Sequence, residues 1–151
     1  ISKAAGGDKY CQCVTIPVNL TCDSLIFLHS TAENEKRIPW RNPVQVGVYI
    51  IEYRDGTILE VPVEYGGNAG VWNRRYAAPM KHGFYRHQGY VATYLSDAYI
   101  QSKTQDGKDI TVYGYEWINP DKDKEISKIT LKASGNSDSQ VILFAITGIR
   151  E

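Results

Sequence analysis

Two strand-like runs joined through Asp-Gly constrain this chain more than any other feature. Between Val46 and Trp72 the sequence reads VGVYIIEYRDGTILEVPVEYGGNAGVW. β-branched and aromatic residues flank Arg54-Asp55-Gly56-Thr57 on both sides, and Asp-Gly is a preferred pair where a turn needs positive φ. In the second run Leu59, Val61, Val63 and Tyr65 alternate with Ile58, Glu60, Pro62 and Glu64. That period of two puts an apolar row on one face and a mostly polar row on the other. Pro62 has no N–H to give to a ladder, which predicts a sheet edge or a bulge. The run ends in Tyr65-Gly66-Gly67-Asn68-Ala69-Gly70, read as a flexible loop that delivers Trp72 beside Asn73, Arg74, Arg75 and Tyr76. A hairpin that hands an aromatic and several donors to a loop suits a binding surface better than a buried reaction centre.

The rest of the chain repeats the pattern of short strands and turns. Tyr10 to Leu20 predicts a strand broken near Pro17, and Ser24 to His29 a central strand covered on both faces. Residues 30–43 are polar, contain Pro39 and Pro43, and predict a long loop exposing Trp40 beside Arg41 and Asn42. The stretch from Trp72 to His87 has no clear period. Tyr90 to Tyr99 reads as a strand in preference to a short helix, and Gln101 to Asp109 as a polar turn around Asp106-Gly107. Ile110 to Ile118, Glu125 to Ala133 (read as cleanly alternating) and the apolar Gln140 to Ile149 complete the strands, with turns at 119–124 and 134–139. No long amphipathic helix is credible. The fold class expected is all-β: an antiparallel, jelly-roll-like β-sandwich.

A length of 151 residues fits one domain with its own two-layer core. Residues 1–9, opening Ile-Ser-Lys-Ala-Ala-Gly-Gly, read as a linker remnant and 10–151 as a single module, so a piece of a larger protein is expected. The 17 basic and 17 acidic residues give a formal net charge of +0, which offers no global field for nucleic acid or an anionic membrane. No apolar run approaches the length of a bilayer span. The cysteines Cys11, Cys13 and Cys22 match no zinc spacing; a Cys13–Cys22 or Cys11–Cys22 bridge and free buried thiols all remain open. Asn19-Leu20-Thr21 matches a glycosylation acceptor.

Several segments, taken in order, carry a resemblance. They are Phe27-Leu28-His29, Tyr53-Arg54-Asp55-Gly56-Thr57, Glu60 to Asn68 with Trp72, Glu116-Trp117-Ile118-Asn119-Pro120 with Asp123 to Ile126, and Ile142 to Thr147. From Val14 to Gly148 the chain resembles the jelly-roll, galactose-binding-like modules of large bacterial polysaccharide-degrading enzymes. Val71 and Asn73 depart from that pattern, in place of an acidic residue and a second Trp. The resemblance implies a non-catalytic module that binds glycans or serves as a structural appendage.

A sugar ring presents an apolar C–H face and a rim of hydroxyls. It calls for one flat aromatic and directional amide, guanidinium or acid partners. Trp40 with Arg41, and Trp72 with Asn73, Arg74, Arg75 and Tyr76, have that mixture in loops. The competing reading is that either indole plugs the end of the sandwich; Trp117, within a strand pattern, is expected in the core. Arg74, Arg75, Lys81, His82, Arg86 and His87, interleaved with Tyr76, Phe84 and Tyr85, could recognise acidic groups on a polysaccharide. A solvated loop paired with Glu52, Glu60 and Glu64 is the competing reading. His82 and Tyr85 complete the candidate carbohydrate-binding set.

His29 closes an apolar run and reads as a satisfied core histidine. No cofactor is expected, although the acidic turns with Asp106 and Asp109, or Asp121 and Asp123, could hold a structural calcium. There is no nucleophile elbow, phosphate loop or metal triad, and Glu52, Glu60, Glu64 and Glu116 show no required separation. The expectation is therefore a non-enzyme: a secreted or cell-surface module that binds a polysaccharide or oligosaccharide and accompanies a parent catalytic domain. A structural or protein-interaction accessory domain without sugar binding, and a small lyase or hydrolase acting on acidic polysaccharide, are the alternatives.

Overall fold

A computed structural model describes residues 11–32, 43–73, 96–134 and 140–151. These form eight strands in chain order: β1 (Cys13–Leu20), β2 (Ser24–Thr31), β3 (Val44–Tyr53), β4 (Ile58–Tyr65), β5 (Ser96–Lys103), β6 (Asp109–Ile118), β7 (Ile126–Ala133) and β8 (Val141–Ile149). They pair antiparallel into two four-stranded sheets, β1-β7-β3-β4 and β5-β6-β2-β8, packed as a sandwich. Hairpins join β3 to β4 and β5 to β6, and every other connection changes sheet, in the manner of a jelly roll. No helix occurs among the described residues.

Both hairpins use the same turn chemistry. Gly56 N–H donates to the Tyr53 carbonyl and Tyr53 N–H to the Thr57 carbonyl; Gly107 and Thr104 repeat the pattern with Thr104 and Lys108 as acceptors. Gly56 and Gly107 sit at φ 87° and 81°, where a Cβ would strain the backbone, so each Asp-Gly pair fixes its turn. Register in β3–β4 then puts Val61 and Val63 inward and leaves Ile58, Glu60 and Pro62 outward. Pro62 lies in an edge strand, as its missing donor requires.

The core is built on β2 and β3. Leu25 and Phe27 face Tyr49, Ile51 and Tyr53, with Val61, Val63, Ile129, Leu131 and Val141 packed around them. Phe27 stacks on Tyr49 at a centroid distance of 4.1 Å. β2 is internal to its sheet, in line with its apolar run. Trp117 is half-buried against this cluster.

Several details differ from the sequence reading, each for a local reason. The alternation of β7 is broken rather than clean. Glu52 pairs with Lys128 but Tyr53 with Ile126, so Ser127 is an extra residue that lets both Ile126 and Ile129 point inward. Its hydroxyl donates to the Glu52 carbonyl at 2.8 Å. β1 does break near Pro17, as its sequence predicts: its register shifts between Pro17 and Leu20, where Asn19 takes φ 51°. β2 runs on through Ser30 and Thr31, and Gln101 to Lys103 belong to β5 rather than to a turn. The part of the Tyr90–Tyr99 strand before Ser96 lies outside the described residues. All three cysteines are free, Cys11 and Cys13 exposed and Cys22 buried.

The turn geometry makes a test. Nothing lies within 4 Å of a Cβ added at Gly56, so Gly56→Ala isolates backbone strain from packing. We expect it to lower unfolding stability by about 1 kcal/mol, read by urea denaturation. An unchanged midpoint would contradict the positive-φ turn.

Candidate functional site

The end of the sandwich that carries Trp72 is organised from the core outward. His29 in β2 is fully buried, and both ring nitrogens are bonded: Nδ1 to Tyr49 Oη at 2.9 Å and Nε2 to the Asn68 carbonyl at 2.7 Å. A carbonyl can accept but not donate, so Nε2 carries the proton; burial disfavours a second proton on the ring, and Nδ1 then accepts from the Tyr49 hydroxyl. The ring is therefore neutral. Burial pushes His29 down from 6.5 to about 4, opposed by its bond to Asn68, and raises the Tyr49 phenol above its ordinary value.

Asn68 carries this anchor into the segment after β4. Its Oδ1 accepts from Glu64 N–H at 2.8 Å, and its Nδ2 donates to the Pro62 carbonyl at 2.8 Å. Gly66 N–H donates to Ala69, while Gly67 and Ala69 N–H donate to Glu64. The expected flexible loop is thus a tight, hydrogen-bonded turn with Asn68 and Ala69 buried, because the side-chain amide supplies the partners the backbone lacks. Gly70 then passes so close to Tyr113 that a Cβ there would overlap the phenol ring.

Beyond this turn the chain is clamped to both central strands of the second sheet. Thr31 N–H donates to Gly70, Trp72 N–H to Thr31, and Thr111 N–H to the Trp72 carbonyl, at 2.8, 3.0 and 2.7 Å. Trp72 is half-buried and Asn73 exposed, so the indole sits at a rim with its main chain fixed on both sides. The Thr31 hydroxyl is the one buried side-chain polar atom among the described residues without a hydrogen-bond partner. At this same end Ala32 N–H bonds to Gln140 and Ser134 N–H to Val46.

Of the predicted site residues, the structure places Trp72 and Asn73 side by side at this rim. Trp40, Arg41, Arg74, Arg75, Tyr76, His82 and Tyr85 lie outside the described residues, as do Lys81, Phe84, Arg86 and His87. Glu52 pairs with Lys128 at 3.1 Å, and Glu116 accepts from the Ser24 hydroxyl at 2.6 Å. His29 is the satisfied core histidine expected of it, and its role in holding the Asn68 turn was not foreseen. Gly-Gly-Asn after an alternating strand was the available signal.

The opposite end is closed by ion pairs. Lys124 Nζ lies 3.0 Å from Asp55, 3.5 Å from Asp121 and 3.2 Å from the Thr57 hydroxyl; Lys122 pairs with Asp23 and Arg54 with Glu125. Asp55 is pushed down to about 2, first by the Thr57 backbone N–H and its hydroxyl, then by Lys124. Tyr53 Oη donates to Asn119 Oδ1 at 2.5 Å, and Asn119 Nδ2 to the Cys22 carbonyl. The other acidic turn, between β5 and β6, lies at the Trp72 end, and there Asp106 and Asp109 pair with Lys108 and Lys103. Among the described residues no three His, Cys, Asp or Glu groups gather as a metal site.

Two tests follow from the anchor. His29 binds a proton more weakly in the folded chain than in the unfolded one. Stability should therefore be level above pH 6.5, fall by roughly 3 kcal/mol between pH 6.5 and 4, and lose no more through His29 below that. The Asp55 contribution is lost in a separate window, as pH falls below 3.8 toward 2. Urea unfolding across this range reads both, and a flat profile between pH 6.5 and 4 would contradict a buried neutral imidazole. Gly70→Ala must displace the end of the half-buried Tyr113 ring and should cost about 1 kcal/mol, whereas a Cβ at Gly107 meets nothing and adds turn strain alone. Comparison with known proteins finds no matching family, no similar curated protein and no similar solved structure.

Proposed function

We propose that the chain is a non-catalytic carbohydrate-binding module, secreted or displayed at a cell surface, that directs the catalytic domain of a parent enzyme to its polysaccharide. The observation that carries this reading is the Trp72 rim. A half-buried tryptophan stands on a main chain bonded to Thr31 and Thr111, with the exposed Asn73 next to it in the chain. A pyranose C–H face stacks on such an indole, and an amide meets the ring hydroxyls as donor and acceptor. Because the backbone is fixed before binding, little ordering entropy opposes the contact. Arg74, Arg75 and Tyr76 follow directly in sequence. Trp40 and Arg41 follow Ala32 in sequence.

A small, wet site of this kind supports modest affinity, since hydroxyls outside the stack keep their water. Neither nucleic acid nor membrane is a partner in this reading: the balanced charge gives no long-range attraction to phosphate.

A glycan panel followed by calorimetry tests the proposal. Trp72→Ala should weaken binding to the responsive polysaccharide about tenfold or more. Asn73→Ala should weaken it less. Intact binding in Trp72→Ala, or a wild-type chain that binds no glycan on the panel, would refute the platform.

A further inference from the structure

The four edges of the two described sheets are protected unequally. β1 carries Pro17 and an irregular register up to Leu20. β4 carries Pro62 between Glu60 and Glu64. β5 contains Asp97 and Lys103 and shifts register between Ala98 and Ile100. Proline, charge and bulges are the means by which proteins keep edge strands from pairing with other chains. β8, Val141-Ile-Leu-Phe-Ala-Ile-Thr-Gly-Ile149, has neither a proline nor a charge over its nine residues. It pairs with β2 alone among the described strands.

Its one irregularity lies between Leu28 and His29 of β2, where Phe144 is the extra residue and stands 54% exposed. From Ala145 to Ile149 the ladder is regular, and Ala145, Thr147 and Gly148 are exposed. Its bulge is confined to Phe144, and from Ala145 to Ile149 the strand is regular, uncharged and partly to fully exposed, with nothing there that repels a partner strand.

We propose that β8 is a self-association edge, through which two copies of this chain pair antiparallel about a two-fold axis and join their β5-β6-β2-β8 sheets into one. A second copy is the occupant because β8 is complementary to itself. An axis at Thr147 sets Thr147 opposite its twin, Ile146 opposite Gly148 and Ala145 opposite Ile149, with no strand charge desolvated. It also brings Phe144 of one copy to the exposed Arg150 of the other, a cation–π pairing. Strands with Lys or Glu at these positions would lose that match. The contact consumes both β8 edges, and the remaining edges are protected, so assembly stops at two copies. One strand pair buries less than a standard interface, which makes the dimer weak and concentration-dependent.

Sedimentation analysis of the full chain over a concentration series tests this. The wild type should shift reversibly from one copy to two. Thr147→Lys and Thr147→Glu each place like charges across the axis at an exposed position, and each should stay a single copy with an unchanged circular dichroism spectrum. Mixing the two variants should restore the two-copy species. A wild type that remains a single copy throughout, a dimer that survives in Thr147→Lys, growth beyond two copies, or a mixture that fails to recover would each overturn the proposal.

Discussion

The architecture at the Trp72 end depends on one uncharged imidazole between the sheets. His29 donates through Nε2 to Asn68 in the turn after β4 and accepts at Nδ1 from Tyr49 in β3. One buried side chain thus connects β2 with the facing sheet and with the segment that leads to the rim. The same ring lies 5.9 Å from Tyr49 and 6.4 Å from Tyr115, both near-parallel, continuing the Phe27–Tyr49 stack. A charged imidazole would have two donors, and the Tyr49 hydroxyl would then have to accept and redirect its own proton. An unmet buried donor or acceptor costs about 1–3 kcal/mol, which is why the neutral form and the fold are coupled.

The two ends of the sandwich are built on different chemistry. At one, lysines and arginines meet carboxylates on turns, and Asn119 links Tyr53 to Cys22. Those ion pairs are largely exposed and individually weak, so they align turns rather than supply stability. At the other, backbone and amide bonds fix Gly70 and Trp72, with a partly exposed aromatic at the margin. Ion pairs also join Lys103 to Asp109 and Lys108 to Asp106 at this second end, so it is the fixed main chain under the aromatic that supports the proposed reading.

Much of the fold was legible in the sequence, because it follows from local rules. Both Asp-Gly pairs occupy positive-φ turns, Pro62 lies at an edge, and the apolar run of β2 is internal. Departures occur where a pairing partner overrides the local pattern. Ser127 breaks the alternation of β7 because the Glu52 carbonyl takes its hydroxyl, and Gln101 to Lys103 are held in β5 by Thr111, Ile110 and Asp109 of β6. Neither partner can be read from a single strand. The turn at Gly66 to Gly70 was misjudged for a related reason. Gly-Gly suggests freedom, but the Asn68 side chain satisfies the surrounding backbone.

The candidate site was legible in part. Trp72 and Asn73 were identified from their loop chemistry, and as chain neighbours they lie half-buried and exposed at one end of the sandwich; the remaining aromatic and basic candidates fall on segments beyond the described residues. What sequence could not convey is that a histidine 43 positions earlier holds the turn preceding them, a contact made only once two sheets pack. The most direct measurement is the nitrogen NMR spectrum of the His29 ring in the intact chain at neutral pH. The account predicts a protonated Nε2 and a bare, hydrogen-bond-accepting Nδ1. A proton on Nδ1, or on both nitrogens, would contradict it.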